Sequence, residues 1–363
     1  MKDIHGGNIW AVARKYGLKV DEIADFSASI NPLIPHEDIR RIILTNIESI
    51  FHYPDPEYKV LTGDIARILH IGHENILIGN GSIEFIYLIP RVLKTRKVLI
   101  PVPAFTEYEK SVLQSGAIPQ FVYGTEESCF KISVEDLINS LEDIDMVFLC
   151  NPNNPTGLGF DRNELHEFID VCDKRGIWIV VDEAFIEFLA DGEDVTHIYE
   201  ALRKKRVMVL RSFTKSFSIP GLRLGYLIGN QETVKILKEA KEPWSVNSLA
   251  QAMGSEIIKD LDYIKRVKEY IKVEREFLFS ELGKVNSIKL FPSRVNFILA
   301  SLKNPCISSK TLADKLAAKG ILIRELSSMR GLDNRFFRFA VRTHAENERL
   351  LKGLEEVLST GAY

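Results

Sequence analysis

Lys215 stands in a segment whose composition suits covalent chemistry. Hydroxyl residues flank it in the string Ser-Phe-Thr-Lys-Ser-Phe-Ser at 212–218, and Arg223 follows between two glycines. A lysine that is partly desolvated among such neighbours loses its proton more easily, and the neutral amine is a nucleophile. The hydroxyls and the guanidinium are groups that bind phosphate. Taken alone, a lysine is nearly always a solvated surface residue.

An acidic string, Asp-Glu-Ala-Phe, begins at Asp182 directly after the apolar run 177–181. A carboxylate at the end of a buried strand needs a partner, because burial without one is costly. A protonated ring nitrogen would be such a partner. A salt bridge or a helix cap is the commoner explanation for a single aspartate in this position.

Two more polar strings follow apolar runs. Gly-Asn-Gly-Ser at 79–82 precedes a helical pattern, where glycines and a helix N-terminus can bind phosphate. Asn-Pro-Asn-Asn-Pro-Thr-Gly at 151–157 is made rigid by its prolines and can aim a side-chain amide at a ligand oxygen. A strand–helix turn and a surface turn are the simpler interpretations of these two strings.

The elements around these strings explain how they can meet. Short continuous apolar runs alternate with amphipathic helical patterns, which predicts an α/β fold whose mainly parallel sheet has helices on both sides. Ligands of such sheets bind outside the carboxyl ends of the strands. An amine, an acid, an amide and a phosphate cup at those ends together fit one cofactor. The predicted strands are 76–78, 97–100, 146–150, 177–181, 207–211 and 224–228.

The pattern changes after Pro243. A long charged helical stretch, several short strands and a last helix at 345–358 predict a smaller α+β domain. The irregular N-terminal segment is expected to pack with it. We therefore predict a large cofactor-binding domain at 46–240 and a discontinuous small domain made of 1–45 and 241–363.

The charge and the cysteines restrict the class of protein. The net charge of −3 over 363 residues offers no general basic field to nucleic acid or anionic lipid. The chain shows no signal-peptide pattern and no run near the roughly 20 apolar residues of a membrane span. Its four scattered cysteines lack metal-ligand spacing and suit a reducing compartment. We expect a cytoplasmic protein without a metal site.

The strings NPNNPTG, DEAF, SFTKSFSIPGLRLGY and FFRFAVRTHAEN, in this order, resemble the fold type I aminotransferases. The subgroup they resemble most contains the histidinol-phosphate aminotransferases and the threonine-phosphate decarboxylases. The resemblance spans nearly the whole chain. It implies the pyridoxal-5′-phosphate (PLP) transferase fold type I, PLP as the cofactor, and a homodimer.

The resemblance implies roles for individual residues. Lys215 resembles the lysine that forms the Schiff base with PLP, and Asp182 resembles the acid that keeps the pyridine nitrogen protonated. Tyr53 looks like the tyrosine that reaches the cofactor phosphate of the neighbouring subunit. The other cofactor contacts implied are Asn154 at the ring hydroxyl, Phe105 stacked on the ring, and Gly81, Ser82, Ser212 and Arg223 around the phosphate.

The N-terminal strings distinguish between the two enzymes of the subgroup. His-Gly-Gly-Asn at 5–8 and Asp-Phe-Ser-Ala-Ser-Ile-Asn-Pro at 25–32 look like the decarboxylases, whereas the aminotransferases usually carry Asn-Glu-Asn-Pro at the second place. The resemblance thus implies decarboxylation of O-phospho-L-threonine to (R)-1-amino-2-propanol O-2-phosphate, in cobamide (cobalamin) biosynthesis. The substrate contacts implied are His5, Asn31, Arg324, Arg338 and Arg342.

Phe185 departs from the aminotransferase pattern, because many members have a tyrosine there whose hydroxyl bonds the ring oxygen. Histidinol-phosphate aminotransferase remains the first alternative, since it uses the same fold, cofactor and substrate phosphate. A PLP-fold module without catalysis is the second, although the retained Lys215, Asp182, Asn154 and Arg223 disfavour it. A generic nucleotide-binding α/β protein would explain neither NPNNPTG nor the lysine segment.

Overall fold

The structure is a computed structural model that describes residues 6–189, 195–303 and 307–359. Short 3-10 turns lie at Val20–Glu22, Ile47–Phe51, His73–Asn75 and Ile186–Phe188. The α-helices are α1 Ile9–Tyr16, α2 His36–Asn46, α3 Lys59–Leu69, α4 Ile83–Leu93, α5 Glu107–Gln114, α6 Val134–Asn139, α7 Arg162–Lys174, α8 Ile198–Arg203, α9 Phe213–Ser216, α10 Gln231–Ala240, α11 Ser248–Ile257, α12 Leu261–Leu282, α13 Ser309–Ala317 and α14 His344–Ser359.

The strands form one large sheet and two smaller ones. The strands are β1 Ala24–Asp25, β2 Ile76–Gly79, β3 Lys97–Val102, β4 Ile118–Tyr123, β5 Met146–Cys150, β6 Trp178–Asp182, β7 Val207–Ser212, β8 Gly225–Gly229, β9 Ile288–Leu290, β10 Phe297–Leu302, β11 Ile321–Leu322, β12 Arg324–Glu325 and β13 Phe336–Ala340.

The large sheet has the order β2-β8-β7-β6-β5-β3-β4. Its strands from β7 to β4 run parallel, and β8 runs antiparallel to both of its neighbours. Successive residues of a strand point to opposite faces, so Ile179 and Val181 pack in one buried cluster while Val180 packs in another. A strand buried on both faces must be continuously apolar, as the sequence indicated. The predicted α/β fold with a mainly parallel sheet is confirmed.

The antiparallel strand β8 has a consequence for the site. Its first residue, Gly225, lies opposite Gly79 at the end of β2 and opposite Ser212 at the end of β7. The chain therefore leaves β7, forms the short helix α9 and returns into the sheet at the same edge. This return brings Arg223, two residues before β8, to the edge where the parallel strands end.

The second part of the fold is built on the antiparallel sheet β12-β13-β10-β9, with α12 against β9 and α13 against β12. The N-terminal segment joins this part, because Ala24 and Asp25 of β1 pair with Ile321 and Leu322 of β11. The packing of the N-terminal segment on the C-terminal region was expected from the sequence. The domain boundaries at 46–240, 1–45 and 241–363 stay a prediction.

The edge strand β4 was not predicted. Its sequence, IPQFVY, mixes polar and apolar residues and its side chains are half-buried or exposed, so it lacks the continuous apolar character of the other strands. Pro119 is tolerated there because an edge strand need not donate every backbone N–H. Within the described residues, no helix has both the length and the apolar character needed to cross a membrane.

Candidate active site

A cavity of about 460 Å³ lies at the carboxyl edge of the large sheet. Residues of the seven-stranded sheet and of the four-stranded sheet line it. Most of the side chains predicted for the site meet here, although they come from distant parts of the chain. The predicted residues that line the cavity are Gly81, Ser82, Phe105, Asn154, Asp182, Ser212, Lys215, Arg223, Arg324 and Arg338.

Lys215 lies in α9, directly after β7. Ser212 caps this short helix, because its hydroxyl accepts the N–H of Thr214 at 3.3 Å. Burial of Lys215, with smaller contributions from the positive charges of Arg338 and Arg223, lowers the pKa of the amine to about 8. At this pKa roughly a tenth of the amine is neutral at pH 7. The neutral form is the nucleophile.

Asp182 ends β6 and faces the same cavity with 5% of its surface exposed. Its Oδ2 accepts the hydroxyl of Tyr108 at 2.7 Å, and its Oδ1 accepts the N–H of Ala184 at 3.0 Å. Burial raises the pKa of Asp182, while these two hydrogen bonds and the charge of Lys215 oppose that rise. A carboxylate with one donor on each oxygen keeps lone pairs for a further N–H donor in the cavity.

The two residues before α4 and the segment that leads into β8 form a tight cradle. Gly81 has φ +75°, and a Cβ atom there would lie 2.8 Å from a terminal nitrogen of Arg223. A Cβ atom on Gly225 would lie 2.3 Å from the backbone nitrogen of Ser82. Only glycine allows these approaches, and the resulting backbone N–H groups, hydroxyls and guanidinium suit a phosphate.

Two arginines face each other on the opposite wall. Arg324 of β12 and Arg338 of β13 are directly opposite in register, and neither is more than 9% exposed. Like charges in such positions repel. Burial and the charge of Arg324 lower the pKa of Arg338 to about 9. An anion between the two guanidinium groups would relieve the repulsion, so this wall is suited to a carboxylate or a phosphate.

Arg338 also connects the wall to the polar loop after β5. It donates hydrogen bonds to the side-chain oxygen of Asn154 and, at 3.0 Å, to the carbonyl oxygen of Ser27. Within the described part of the chain, its Nε has no hydrogen-bond partner. The guanidinium is thus held in a fixed direction, and its Nε–H is among the donors that these two bonds leave unused.

Three aromatic residues line the cavity, namely Phe105, Tyr108 and Phe185. The ring of Phe105 stands edge-on to Tyr108 at a centroid distance of 5.7 Å. The Lys215 amine lies 5.9 Å from the centre of the Phe185 ring. Phe185 presents only carbon atoms where a tyrosine would present a hydroxyl, so the departure seen in the sequence is a feature of the site.

Other predicted residues lie elsewhere. The two side-chain N–H groups of Asn31 donate to the carbonyl of Ser216 at 2.8 Å and to the hydroxyl of Tyr263 at 2.7 Å, and the residue is fully buried. Arg342 pairs with Glu346 at 2.8 Å. Tyr53 is 82% exposed beside Trp244. His5 lies outside the described residues. The roles inferred for these residues from the sequence remain predictions.

Some cavity residues were not found from the sequence. Ser29 is 1% exposed, lines the cavity and has no hydrogen-bond partner for its hydroxyl in the described ranges. Glu107, Tyr108 and Met329 also line it. The position of Ser29 between the Ser27 and Asn31 of a singled-out string was the available signal, whereas Tyr108 lay in a helical pattern without a polar string.

The arrangement combines a nucleophilic amine, a buried acid, a glycine-lined anion cradle and a second wall with two guanidinium groups. Such a set fits a cofactor that carries a carbonyl, a basic ring nitrogen and a phosphate, with an anionic substrate opposite. In the described ranges, no group of three His, Cys, Asp or Glu side chains has the geometry of a metal site.

Several known proteins are similar to this chain over most of its length. A putative threonine-phosphate decarboxylase of Caldanaerobacter subterraneus subsp. tengcongensis is 38% identical over 98% of this chain and 94% of its own length. A threonine-phosphate decarboxylase of Salmonella typhimurium is 35% identical over 98% of this chain and 96% of its own. The crystal structure of a histidinol-phosphate aminotransferase from Clostridium acetobutylicum has a TM-score of 0.85, with 33% identity over 92% of this chain and 99% of that one.

The sequence profile described as aminotransferase class I and II matches residues 22–354, which is nearly all of the chain. The fold type I architecture predicted from the sequence is therefore confirmed. The chain belongs to the class I and II aminotransferase family, whose members are PLP-dependent enzymes.

Proposed function

We propose that the protein decarboxylates O-phospho-L-threonine to (R)-1-amino-2-propanol O-2-phosphate, a step of cobamide synthesis. The observation that carries the proposal is the similarity, over nearly the whole chain, to two proteins named for threonine-phosphate decarboxylase. The cavity supports it, because the facing Arg324 and Arg338 suit a substrate with two anionic groups.

The residues of the carboxyl edge would hold the cofactor. Lys215 would bind its carbonyl carbon, Asp182 its ring nitrogen and Asn154 its ring oxygen. Phe105 would stack on the ring face. The phosphate would lie in the cradle of Gly81, Ser82, Ser212 and Arg223, for which the tight approach of Arg223 to Gly81 is the structural support.

PLP, when bound, supplies an electron sink for the carbanion that remains after CO₂ leaves. The protein must then choose which substrate bond breaks. The bond perpendicular to the ring plane is the one that overlaps the π-system. Arg338, fixed by Asn154 and Ser27, can hold the substrate carboxylate, while Arg324 holds the remote phosphate. Binding energy from the phosphate can thereby fix the angle of the carboxylate bond.

Product analysis tests the proposal. Purified protein loaded with PLP is mixed with O-phospho-L-threonine in the absence of any keto acid. We expect release of CO₂ and formation of aminopropanol phosphate. An absence of CO₂, together with conversion of histidinol phosphate once 2-oxoglutarate is added, would instead identify an aminotransferase.

Histidinol-phosphate aminotransferase is the second candidate, because a solved protein of that name is 33% identical to this chain. Phe185 is the observation that weighs against it. Its ring packs edge-on against Phe297 at 5.0 Å and lines the cavity without a hydroxyl. The cofactor ring would therefore lack the hydrogen bond that a tyrosine provides in many aminotransferases.

We also propose a homodimer in which Tyr53 reaches the partner's cofactor phosphate. Large apolar side chains are exposed around it, with Phe51 at 72%, Ile50 at 54% and Trp244 at 47%. A surface of this kind is typical of a protein–protein interface.

A cytoplasmic location is supported by Cys129, Cys150 and Cys172, which are free thiols and suit a reducing compartment.

A further inference from the structure

Tyr108 connects the aromatic and acidic parts of the cavity. It lies in the first turn of α5, three residues after Phe105, and its hydroxyl reaches Asp182 at the end of β6. The two partners are 74 positions apart in the chain. The residue is 1% exposed and belongs to none of the strings that the sequence analysis singled out.

The ring of Tyr108 is fixed before any ligand binds. It stacks on Phe148 of β5 at a centroid distance of 5.0 Å and an interplanar angle of 15°, and it stands edge-on to Phe105 at 5.7 Å. Such contacts restrict the ring to one orientation. The hydroxyl therefore donates to one oxygen of Asp182 from a fixed direction, and the Ala184 N–H fixes the other oxygen.

The groups around Asp182 show how the hydrogen bond from Tyr108 affects the pKa of this carboxyl. The titratable groups that face this carboxyl are Tyr108 from α5, Cys150 from β5, Glu183 next to it and Lys215 from α9. Burial and Glu183 raise the pKa of Asp182, whereas the Tyr108 bond and the Lys215 charge lower it. Burial also raises the pKa of Tyr108 well above its usual value, so the hydroxyl stays a donor.

We propose that Tyr108 is a positioning residue that holds the Asp182 carboxylate, in its ionised form, toward the ring nitrogen of the bound cofactor. Because Phe105 lies just before the same helix and contacts the Tyr108 ring edge-on, Tyr108 touches both the acid and the aromatic that would face the cofactor ring. The proposal rests on the proposed binding of PLP. It concerns the cofactor and applies to decarboxylase and aminotransferase alike.

The test compares Tyr108→Phe with a matched variant, Tyr87→Phe, in the PLP-loaded protein. Both changes remove one hydroxyl that donates to a carboxylate, since Tyr87 donates to Glu107 rather than to Asp182. Both keep the ring, and unfolding of the cofactor-free variants checks that the fold is retained. The readouts are the affinity for PLP and the pH midpoint of the visible absorbance of the bound cofactor.

We expect Tyr108→Phe to weaken PLP binding about tenfold or more, which is the size of a lost hydrogen bond to a charged group. The absorbance midpoint should move to higher pH. A less firmly protonated ring nitrogen repels a second positive charge on the lysine-linked nitrogen less strongly, so that nitrogen keeps its proton longer. Tyr87→Phe should leave the midpoint unchanged.

A double-mutant cycle with Asp182→Asn identifies the route of the effect. If Tyr108 acts through Asp182, adding Tyr108→Phe to Asp182→Asn should change neither readout further. An unchanged midpoint in Tyr108→Phe, or an equal loss in both backgrounds, overturns the proposal. A wild type without visible absorbance would overturn the cofactor assignment as well. A yellow wild type that fails to decarboxylate phosphothreonine would contradict only the proposed substrate.

Discussion

The amine of Lys215 must be neutral to attack a carbonyl carbon, and its buried surroundings bring its pKa to about 8. Below that pH the amine is mostly protonated, and above it the neutral form dominates. We therefore expect the rate at which cofactor-free protein takes up PLP to rise about tenfold per pH unit below pH 8 and to level off above it. Stopped-flow absorbance measures this rate.

Lys215→Ala should abolish the visible absorbance and turnover. Lys241→Ala is the matched control, because the Lys241 side chain is only 4% exposed yet pairs with Glu84 and is not among the residues that line the cavity. A yellow, active Lys215→Ala protein would remove the assignment of the lysine. A rate of PLP uptake that does not change between pH 6 and 9 would contradict the pH dependence predicted from the pKa of Lys215.

Arg324 is the residue that we expect to select for the substrate phosphate. It lines the cavity opposite Arg338 and is 9% exposed. Arg324→Ala should weaken binding of O-phospho-L-threonine about tenfold to a hundredfold, as loss of a buried charge-assisted bond does. Binding of L-threonine should change far less, and displacement of the absorbance band measures both.

Arg335→Ala provides the control for Arg324→Ala. Arg335 is an arginine of the same region that pairs with Glu126 and Asp333 at the surface. It should affect neither ligand. Equal losses for phosphothreonine and threonine in Arg324→Ala would contradict the phosphate role.

Asn31 shows how one side chain can join elements. It links the N-terminal segment to α9 through Ser216 and to α12 through Tyr263. Its backbone N–H also donates to the carbonyl of Lys215 at 3.0 Å. The segment before α2 is thereby attached to α9, the helix that carries Lys215.

Asn31→Ala should lower the free energy of unfolding by about 1–3 kcal/mol, because buried polar groups lose their partners. Urea denaturation measures the loss. Asn46→Ala is the comparison, since the Asn46 amide donates to the carbonyl of Ile42 within its own helix and its loss should cost less than about 0.5 kcal/mol. Unchanged stability with a raised KM for phosphothreonine would instead support the substrate contact that the sequence implied.

The exposed apolar surface around Tyr53 leads us to predict that two chains associate as a dimer. Sedimentation equilibrium should give a molecular mass twice the chain mass of 41.3 kDa. If Tyr53 acts in the partner's site, a Tyr53→Ala subunit and a Lys215→Ala subunit can together form one complete site in a mixed dimer. In a mixed dimer, the site of the Tyr53→Ala subunit keeps its own lysine and receives an intact tyrosine.

Refolding an equal mixture of the two inactive variants should restore about a quarter of the wild-type activity, because half of the dimers are mixed and each has one complete site. The separate variants supply the baseline. Activity that stays at this baseline in a mixture of proven dimers would show that Tyr53 does not act across the interface.

The sequence by itself determined the strands of the large sheet and the polar strings at their ends. Continuous apolar runs located these strands, apart from β4, and the polar strings located Lys215, Asp182 and Asn154. These features are local, because hydrophobic periodicity and strand ends are encoded within a few neighbouring residues. The resemblance to the aminotransferases added the cofactor and the fold.

Only the tertiary structure decided which side chains meet. The opposition of Arg324 and Arg338 depends on strand register, and the bond from Tyr108 to Asp182 joins residues 74 positions apart. The hydrogen bonds from the Asn31 amide to Ser216 and Tyr263 join residues 185 and 232 positions apart, while its role in substrate binding stays a prediction. Contacts between residues distant in the sequence result from the packing of whole elements against each other, which no short stretch of the sequence specifies by itself.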